Sequence, residues 1–152
     1  RLAGDALPGA LFDCDAELPG LLATLNMIHG EHLHLSYVAP SGLQLPWDRE
    51  DLLELLGNLL DNACKWADAE VRLSVIETAQ AYELSVEDDG PGIPQDQRDQ
   101  VISRGTRLDE QTDGHGLGLG IVRDIVDSWG GQLLLQESEW GGLKVTIDLP
   151  KR

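Results

Sequence analysis

Two asparagines and a lysine stand at helical spacing inside a strongly apolar stretch. The stretch reads ELLGNLLDNACKW, in which Asn58, Asn62 and Lys65 are separated by four and three residues. On a helix of about 100° per residue they share one face with Glu54, and leucines occupy another. Asparagine is a poor helix former, so two of them one turn apart indicate that their amide oxygens are needed. A plain solvated face fits the pattern too, but amide oxygens suit Mg²⁺ and lysine suits phosphate.

Two glycine-rich stretches are the next candidates for chemistry. DDGPGIP (88–94) follows a strand-like pattern, where an aspartate can accept from the amine of a base and glycines let the base approach. The same letters are also typical of an ordinary turn. GHGLGLG (114–120) is neither a dinucleotide fingerprint, because Leu119 stands at the third glycine position, nor a Walker A loop. A glycine loop that opens a helix favours phosphate binding at the helix N-terminus.

Composition limits the class of protein. The 152 residues include 27 acidic and 11 basic side chains, for a formal charge of -16, which argues against nucleic-acid binding. The apolar fraction of 41% indicates a globular domain, and no apolar run is long enough to span a membrane. Cys14 and Cys64 are expected to be free thiols in a reducing cytoplasm. The opening RLAGDALPGA has no initiator Met and predicts a fragment, with a linker remnant over 1–14 and one domain over 15–152.

The periodic segments predict the elements that position these residues. A helix is expected after Pro19, a strand within HLHLSYVAP, and a long helix over 47–67 capped by Asp48. EVRLSVIE and YELSVEDD predict two strands, LGLGIVRDIVDSWGG a helix stopped by glycines, and QLLLQES with LKVTIDLP a hairpin around EWGG. The polar segment 95–116 predicts a long functional loop. Helices and strands mix without strict alternation, which favours an α/β fold: a two-layer α/β sandwich with a mixed sheet and helices on one face.

Taken in order, these segments resemble the GHKL ATP-binding superfamily. ELLGNLLDNACKW resembles its N box, DDGPGIP its G1 box and GHGLGLG its G2 box. With the closing WGGLKVTIDLP, residues 30 to 150 resemble the catalytic domain of bacterial sensor histidine kinases, and VEDDGPGIP and SRGTRLD resemble its PhoQ-like branch. The resemblance implies the GHKL fold, a mobile ATP lid at about 94–116, and ATP and Mg²⁺ as cofactors.

The resemblance also implies roles for individual residues. Asp88 would hold the adenine amine, with Gly90 and Gly92 beneath the base. Asn62 would bind Mg²⁺ with Asn58 assisting, and Trp66 would either stack on the base or cap the core. The phosphate, lid and remaining nucleotide contacts would be Lys65, Ile93, Arg104, Arg107, Gly114, His115, Gly116, Leu117, Gly118 and Leu119. Asn58, Asn62, Lys65 and Arg107 form the implied catalytic set, and Ile102 stands where the family's lid has a phenylalanine.

Three functions are compatible with this resemblance: phosphoryl transfer to a histidine, ATP hydrolysis by a clamp of the gyrase, Hsp90 or MutL kind, and nucleotide binding without catalysis. A hydrolase needs a carboxylate one turn before the Mg²⁺ asparagine to activate water. Asn58 stands there, which favours transfer, and the intact Asn62 and Lys65 favour catalysis over plain binding.

The acceptor and the partners are expected to lie outside the chain. None of the four histidines is followed by an acidic residue and a nearby proline, the context that the family's acceptor has. We therefore expect a dimerisation domain of the same parent protein to carry the acceptor, and a response regulator to act after it. The chain alone is not expected to phosphorylate itself or to contact a membrane. It is expected to be the cytoplasmic part of an inner-membrane sensor.

Overall fold

The computed structural model describes residues 12–30, 32–92 and 119–151. None of the helices in these ranges is long and apolar enough to cross a membrane. The elements, in chain order, are β1 (Phe12–Asp13), α1 (Cys14–His29), β2 (His34–Val38), β3 (Gln44–Leu45), α2 (Arg49–Trp66), β4 (Glu70–Glu77), β5 (Ala81–Asp88), α3 (Leu119–Ser128), β6 (Gln132–Glu137) and β7 (Leu143–Pro150).

The main sheet has five strands in the order β2-β4-β5-β7-β6. β2 and β4 are parallel, and the other neighbours are antiparallel. α1, α2 and α3 each contact the sheet, and β5 lies at its centre beneath α2. The predicted mixed sheet with helices on one face is confirmed.

Side chains of β5 alternate between the two faces of the sheet, as strand geometry requires. Leu84 and Val86 belong to the core beneath the helices, whereas Ser85 lies on the other face. α2 supplies the facing stripe of buried residues predicted from its periodicity, and each fully buried leucine contributes about 1.5–3 kcal/mol. That stripe consists of Leu52, Leu56, Leu59 and Ala63.

The ends of α2 and α3 follow from local chemistry. Asp48 is the N-cap of α2, as predicted, and its Oδ2 accepts from the Asp51 backbone N–H at 3.1 Å. After α3 the chain turns at Gly130, with φ of 74°, and the Gly131 N–H donates to the Val126 carbonyl at 2.9 Å. The paired glycines therefore end this helix as the sequence predicts.

α1 begins earlier than the sequence pattern predicts. The helix starts at Cys14 rather than after Pro19, and Asp13 caps it by accepting from the Ala16 N–H at 3.4 Å. Pro19 lacks one helical donor, but the helix buries side chains on both sides of it. These are Cys14, Leu18, Leu22 and Leu25, at the spacing of one helical face. Their burial outweighs the missing hydrogen bond.

Residues 12–14 belong to the folded domain rather than to a linker. β1 pairs antiparallel with β3, and both Phe12 and Leu45 are fully buried. Two-residue strands are too short to show a period of two, so the sequence pattern missed them. Cys14 and Cys64 are free, as expected. Both are buried, and burial raises the pKa of each thiol to about 11.

Candidate functional site

The candidate site centres on a buried carboxylate at the end of β5. Asp88 is 3% exposed, and its Oδ1 accepts from the backbone N–H of Gly90 at 2.8 Å and of Leu143 at 3.5 Å. No hydrogen bond among the described residues uses its Oδ2. One oxygen is thus oriented by the protein, and the other can accept from a ligand.

Burial raises the pKa of Asp88 above its usual range. The negative charges of Asp89 and Asp68 add to this rise, and the two backbone hydrogen bonds oppose it. A hydrogen-bond donor on a ligand would offset the cost of keeping this carboxylate ionised in a buried position.

The second aspartate of the DDG sequence has a structural role. Asp89 Oδ1 accepts from the backbone N–H groups of Asp68, Ala69 and Glu70 at 2.8, 3.0 and 3.1 Å. Burial pushes its pKa upward, but these hydrogen bonds outweigh that effect and leave the pKa below the usual value. Asp89 therefore fixes the loop between α2 and β4 and leaves Asp88 as the carboxylate of the site.

Close backbone contacts around Asp88 require glycine. A Cβ at Gly90 would collide with the carbonyl of Trp66, and one at Gly142 would collide with the carbonyl of Asp88. Gly92 has φ of +76°, a conformation that other residues rarely adopt. Gly90 and Gly92 were expected here, whereas Gly142, in the turn between β6 and β7, was missed. The sequence feature that could have identified Gly142 is the pair of glycines in EWGG.

α2 brings the amides toward the same region. Asn62 is buried, and its Oδ1 has no hydrogen-bond partner among the described residues. Such an orphaned acceptor costs about 1–3 kcal/mol, which fits an oxygen kept for a hard cation. Asn58 is half-buried; its Nδ2 donates to the Glu54 carbonyl at 2.8 Å, and no described donor contacts its Oδ1. The polar face of α2 therefore runs from solvent at Glu54 to the interior at Asn62.

Lys65 is exposed one turn beyond the buried amide. Its Nζ lies 3.7 Å from Asp61 Oδ2, and Asp61 Oδ1 lies 2.7 Å from His29 Nε2. An exposed pair at this distance is weak, so it does not hold the ammonium in one position. Trp66 ends α2 and packs against the core, which is one of its two expected roles, and its Nε1 is buried without a partner in the described chain.

Several predicted site residues lie outside the described residues. These are the lid at 94–116 and Ile93, Arg104, Arg107, Gly114, His115, Gly116, Leu117 and Gly118. Leu119 is described, and its buried side chain packs in the core at the start of α3. Only its backbone could then contact a nucleotide.

Known proteins match both the sequence and the fold. A family model described as histidine kinase-, DNA gyrase B- and HSP90-like ATPase matches residues 47–152. The chain is 65% identical to the sensor protein kinase CarS of Pseudomonas aeruginosa over 150 residues, which are 99% of this chain and 34% of CarS. It is 48% identical to the two-component sensor PhoQ of the same species over 98 residues, 64% of this chain and 22% of PhoQ. The chain thus spans about a third of CarS and less of PhoQ.

A solved structure supports the same assignment of fold. The mycobacterial sensor histidine kinase MprB superposes with a TM-score of 0.76 at 28% identity, covering 93% of this chain and 97% of that one. The predicted GHKL-type sandwich and the resemblance to sensor kinases, including the PhoQ-like branch, are confirmed.

Proposed function

The chain belongs to the histidine kinase-, DNA gyrase B- and HSP90-like ATPase family, and we propose that it is the ATP-binding catalytic domain of a sensor histidine kinase. It donates the γ-phosphoryl group of ATP to a histidine on a dimerisation domain of the same parent protein, outside these 152 residues. A response regulator then takes up the phosphoryl group. The parent is an inner-membrane sensor with this domain in the cytoplasm. The similarity to the sensor protein kinase CarS and the two-component sensor PhoQ supports this proposal.

The main support for the nucleotide assignment is the hydrogen bonding of the Asp88 carboxylate. Its Oδ1 is held by two backbone donors, and no donor within residues 12–30, 32–92 and 119–151 contacts its Oδ2. Adenine offers an amine at the position where guanine has a carbonyl, so a carboxylate accepts from the first and repels the second. Gly90 and Gly142 keep side chains away from the backbone around this carboxylate.

The amides of α2 and the neighbouring lysine are suited to the metal and the phosphates. Asn62 and Asn58 would hold Mg²⁺ through their amide oxygens, and Lys65 would contact the phosphates. Within the described residues no group of three or more His, Cys, Asp or Glu could hold a metal ion. Bound Mg²⁺ neutralises phosphate charge. Arg104 and Arg107 of the lid, with Gly114, Gly116 and Gly118, complete the phosphate contacts in this proposal.

Asn58 favours transfer to histidine over hydrolysis. A water-activating base at this position would have to accept a proton, which an amide cannot do. Glu54 is exposed one turn further from Asn62, too far along the helix to replace it. Catalysis then depends on positioning an external nucleophile in line with the γ-phosphate.

The variant Asp88→Asn tests the nucleotide assignment. Asparagine can still accept from Gly90 and Leu143, but it presents an NH₂ group to the adenine amine. Loss of one charge-assisted hydrogen bond costs about 1.5–3 kcal/mol, so ATP affinity measured by calorimetry should fall at least about tenfold. Glu83→Gln, a change of the same type on the open face of β5, should bind as the wild type does. Unchanged ATP affinity in Asp88→Asn would refute the assignment.

A further inference from the structure

The turn between β6 and β7, residues 138–142, contacts β5 on both faces of the sheet. Adjacent residues of a strand point to opposite faces, so Asp88 lies on the helix side and Glu87 on the open side. Gly142 lies against Asp88, and Ser138 Oγ donates to Glu87 Oε1 at 2.8 Å. The turn thus encloses the end of β5 at the carboxylate of the candidate site.

Glu87 is a buried carboxylate outside the predicted nucleotide contacts. It is 4% exposed, and its Oε2 accepts from Arg72 Nη2 at 2.7 Å and Nε at 3.3 Å. Burial raises its pKa, but the hydrogen bonds from Arg72 and Ser138 outweigh burial and hold the pKa below its usual value. A carboxylate ionised in a buried position needs all of these partners, so it constrains where Ser138 can lie.

Three successive residues of the turn contact this ion pair. Ser138 donates to Glu87, Glu139 Oε2 lies 2.9 Å from Arg72 Nη2, and the Trp140 ring lies 4.7 Å from the Arg72 guanidinium carbon. The guanidinium over the indole is a cation–π contact, worth about 0.5–1 kcal/mol at an exposed site. The turn is therefore attached to β4 and β5 by polar contacts on the open face.

Hydrogen bonds inside the turn connect the attached end to the site. The Ser138 N–H donates to the Gly142 carbonyl and the Gly141 N–H donates to the Ser138 carbonyl, both at 2.8 Å. Gly142 is followed directly by Leu143, whose N–H contacts Asp88 Oδ1. A displacement of Ser138 would move Gly142 and Leu143 with it.

We propose that Glu87 and Ser138 are positioning residues for base recognition: their buried hydrogen bond holds the β6–β7 turn so that Gly142 and Leu143 close on Asp88 and leave its Oδ2 aimed at the base. The inference rests on the proposed function, because it assumes that Asp88 receives adenine. Neither residue touches the nucleotide. They act through the backbone of the turn.

Two variants break this hydrogen bond or the ion pair beside it. Ser138→Ala removes the hydroxyl, and Glu87→Gln removes the charge that pairs with Arg72. Each should lower Mg-ATP affinity in calorimetry by about three- to tenfold, the range for one net hydrogen bond, and should narrow the preference for Mg-ATP over Mg-GTP. Ser138→Thr keeps a hydroxyl and should restore both the affinity for Mg-ATP and the preference for Mg-ATP over Mg-GTP.

A control on the same sheet tests whether the loss of a paired carboxylate charge is enough to change nucleotide binding. Glu77→Gln breaks the 2.8 Å pair with Lys151 at the other end of the same sheet and should leave ATP affinity and base preference unchanged. All binding is measured well below the melting temperature of each variant. If Ser138→Ala does not fold, the comparison of Glu87→Gln with Glu77→Gln decides the question.

The outcomes distinguish this inference from the proposed function. Wild-type affinity and base preference in the folded Ser138→Ala and Glu87→Gln proteins would overturn the positioning role, even if their melting temperatures fall. Asp88→Asn, measured alongside, tests the function itself. Loss of binding in Asp88→Asn with wild-type binding in both turn variants would reject only the positioning role.

Discussion

A single carboxylate, Asp88, combines a cost in stability with a proposed gain in binding. Its folded-state pKa is raised, chiefly by burial. A raised pKa contributes stability that is fully present below the unfolded-state pKa, about 3.9 for aspartate, and is lost as pH rises through the folded-state pKa. At neutral pH the ionised side chain therefore destabilises the apo domain.

Asp88→Asn should accordingly be more stable than the wild type at neutral pH in the absence of nucleotide. The gain should shrink as pH is lowered through the acid range, because the wild-type carboxyl then becomes neutral as well. Thermal unfolding at a series of pH values measures this. A variant less stable than the wild type at pH 7 would show that the ionised carboxylate supports the fold.

Asn62 is the second residue whose side chain is expected to contribute to ligand binding rather than to the stability of the fold. Because its buried Oδ1 has no partner among the described residues and alanine is the better helix former, Asn62→Ala should raise the unfolding free energy by about 0.5 kcal/mol. It should also remove most of the Mg²⁺ dependence of ATP binding, measured by titration with and without the metal. Retained Mg²⁺ dependence would place the metal on other residues.

At the scale of elements, the contact of α2 with the end of β5 sets the shape of the site. Gly90 touches the last turn of α2 at the Trp66 carbonyl, whereas Gly57 lies in the middle of α2 with open space around its Cβ position. Gly57 is part of α2 and Gly90 lies in the turn after β5, so a methyl group would meet open space at the first and backbone at the second.

Gly57→Ala should raise the unfolding free energy by about 0.5–1 kcal/mol, because alanine restricts the unfolded chain and favours the helix. Gly90→Ala should lower it by about 1–3 kcal/mol, because the added methyl group must displace backbone, and it should weaken ATP binding. Urea denaturation measures both free energies. Equal effects of the two substitutions would contradict the close contact of α2 with β5.

Local patterns in the sequence predict the elements that have long, regular periods. The leucine stripe and Asp48 predict α2, and the paired glycines predict the end of α3. Strands of two residues are too short to show a period, so β1 and β3 are not predicted. Pro19 is typical of a helix start, and only the burial of the residues before it shows that α1 begins earlier. The element bounds that were missed depend on tertiary packing.

The residues of the site likewise divide into those that lie in local sequence motifs and those that are brought there by strand pairing. Asp88, Gly90 and Asn62 lie within recognisable motifs. Gly142, Glu87 and Ser138 do not, because their contacts depend on the register that pairs β7 with β5 and β6 with β7. Positions 87 and 138 are separated by 51 residues, and no local pattern connects them.

At the scale of the whole molecule, the charge distribution makes local cations necessary. A formal charge of -16 opposes the approach of an anionic nucleotide. Under the proposed function, affinity for ATP would therefore come from the base contact, the metal and a few nearby cations such as Lys65.

We propose that this chain handles the nucleotide while another domain supplies the acceptor histidine. The most direct measurement is incubation with γ-labelled ATP and Mg²⁺, first of this chain alone and then with the parent's dimerisation domain added as a separate chain. We predict no label on this chain and acid-labile label on the added domain, because transfer requires a nucleophile in line with the γ-phosphate. Acid-labile label on this chain by itself, lost in His115→Ala, would show that the chain carries its own phosphoryl acceptor.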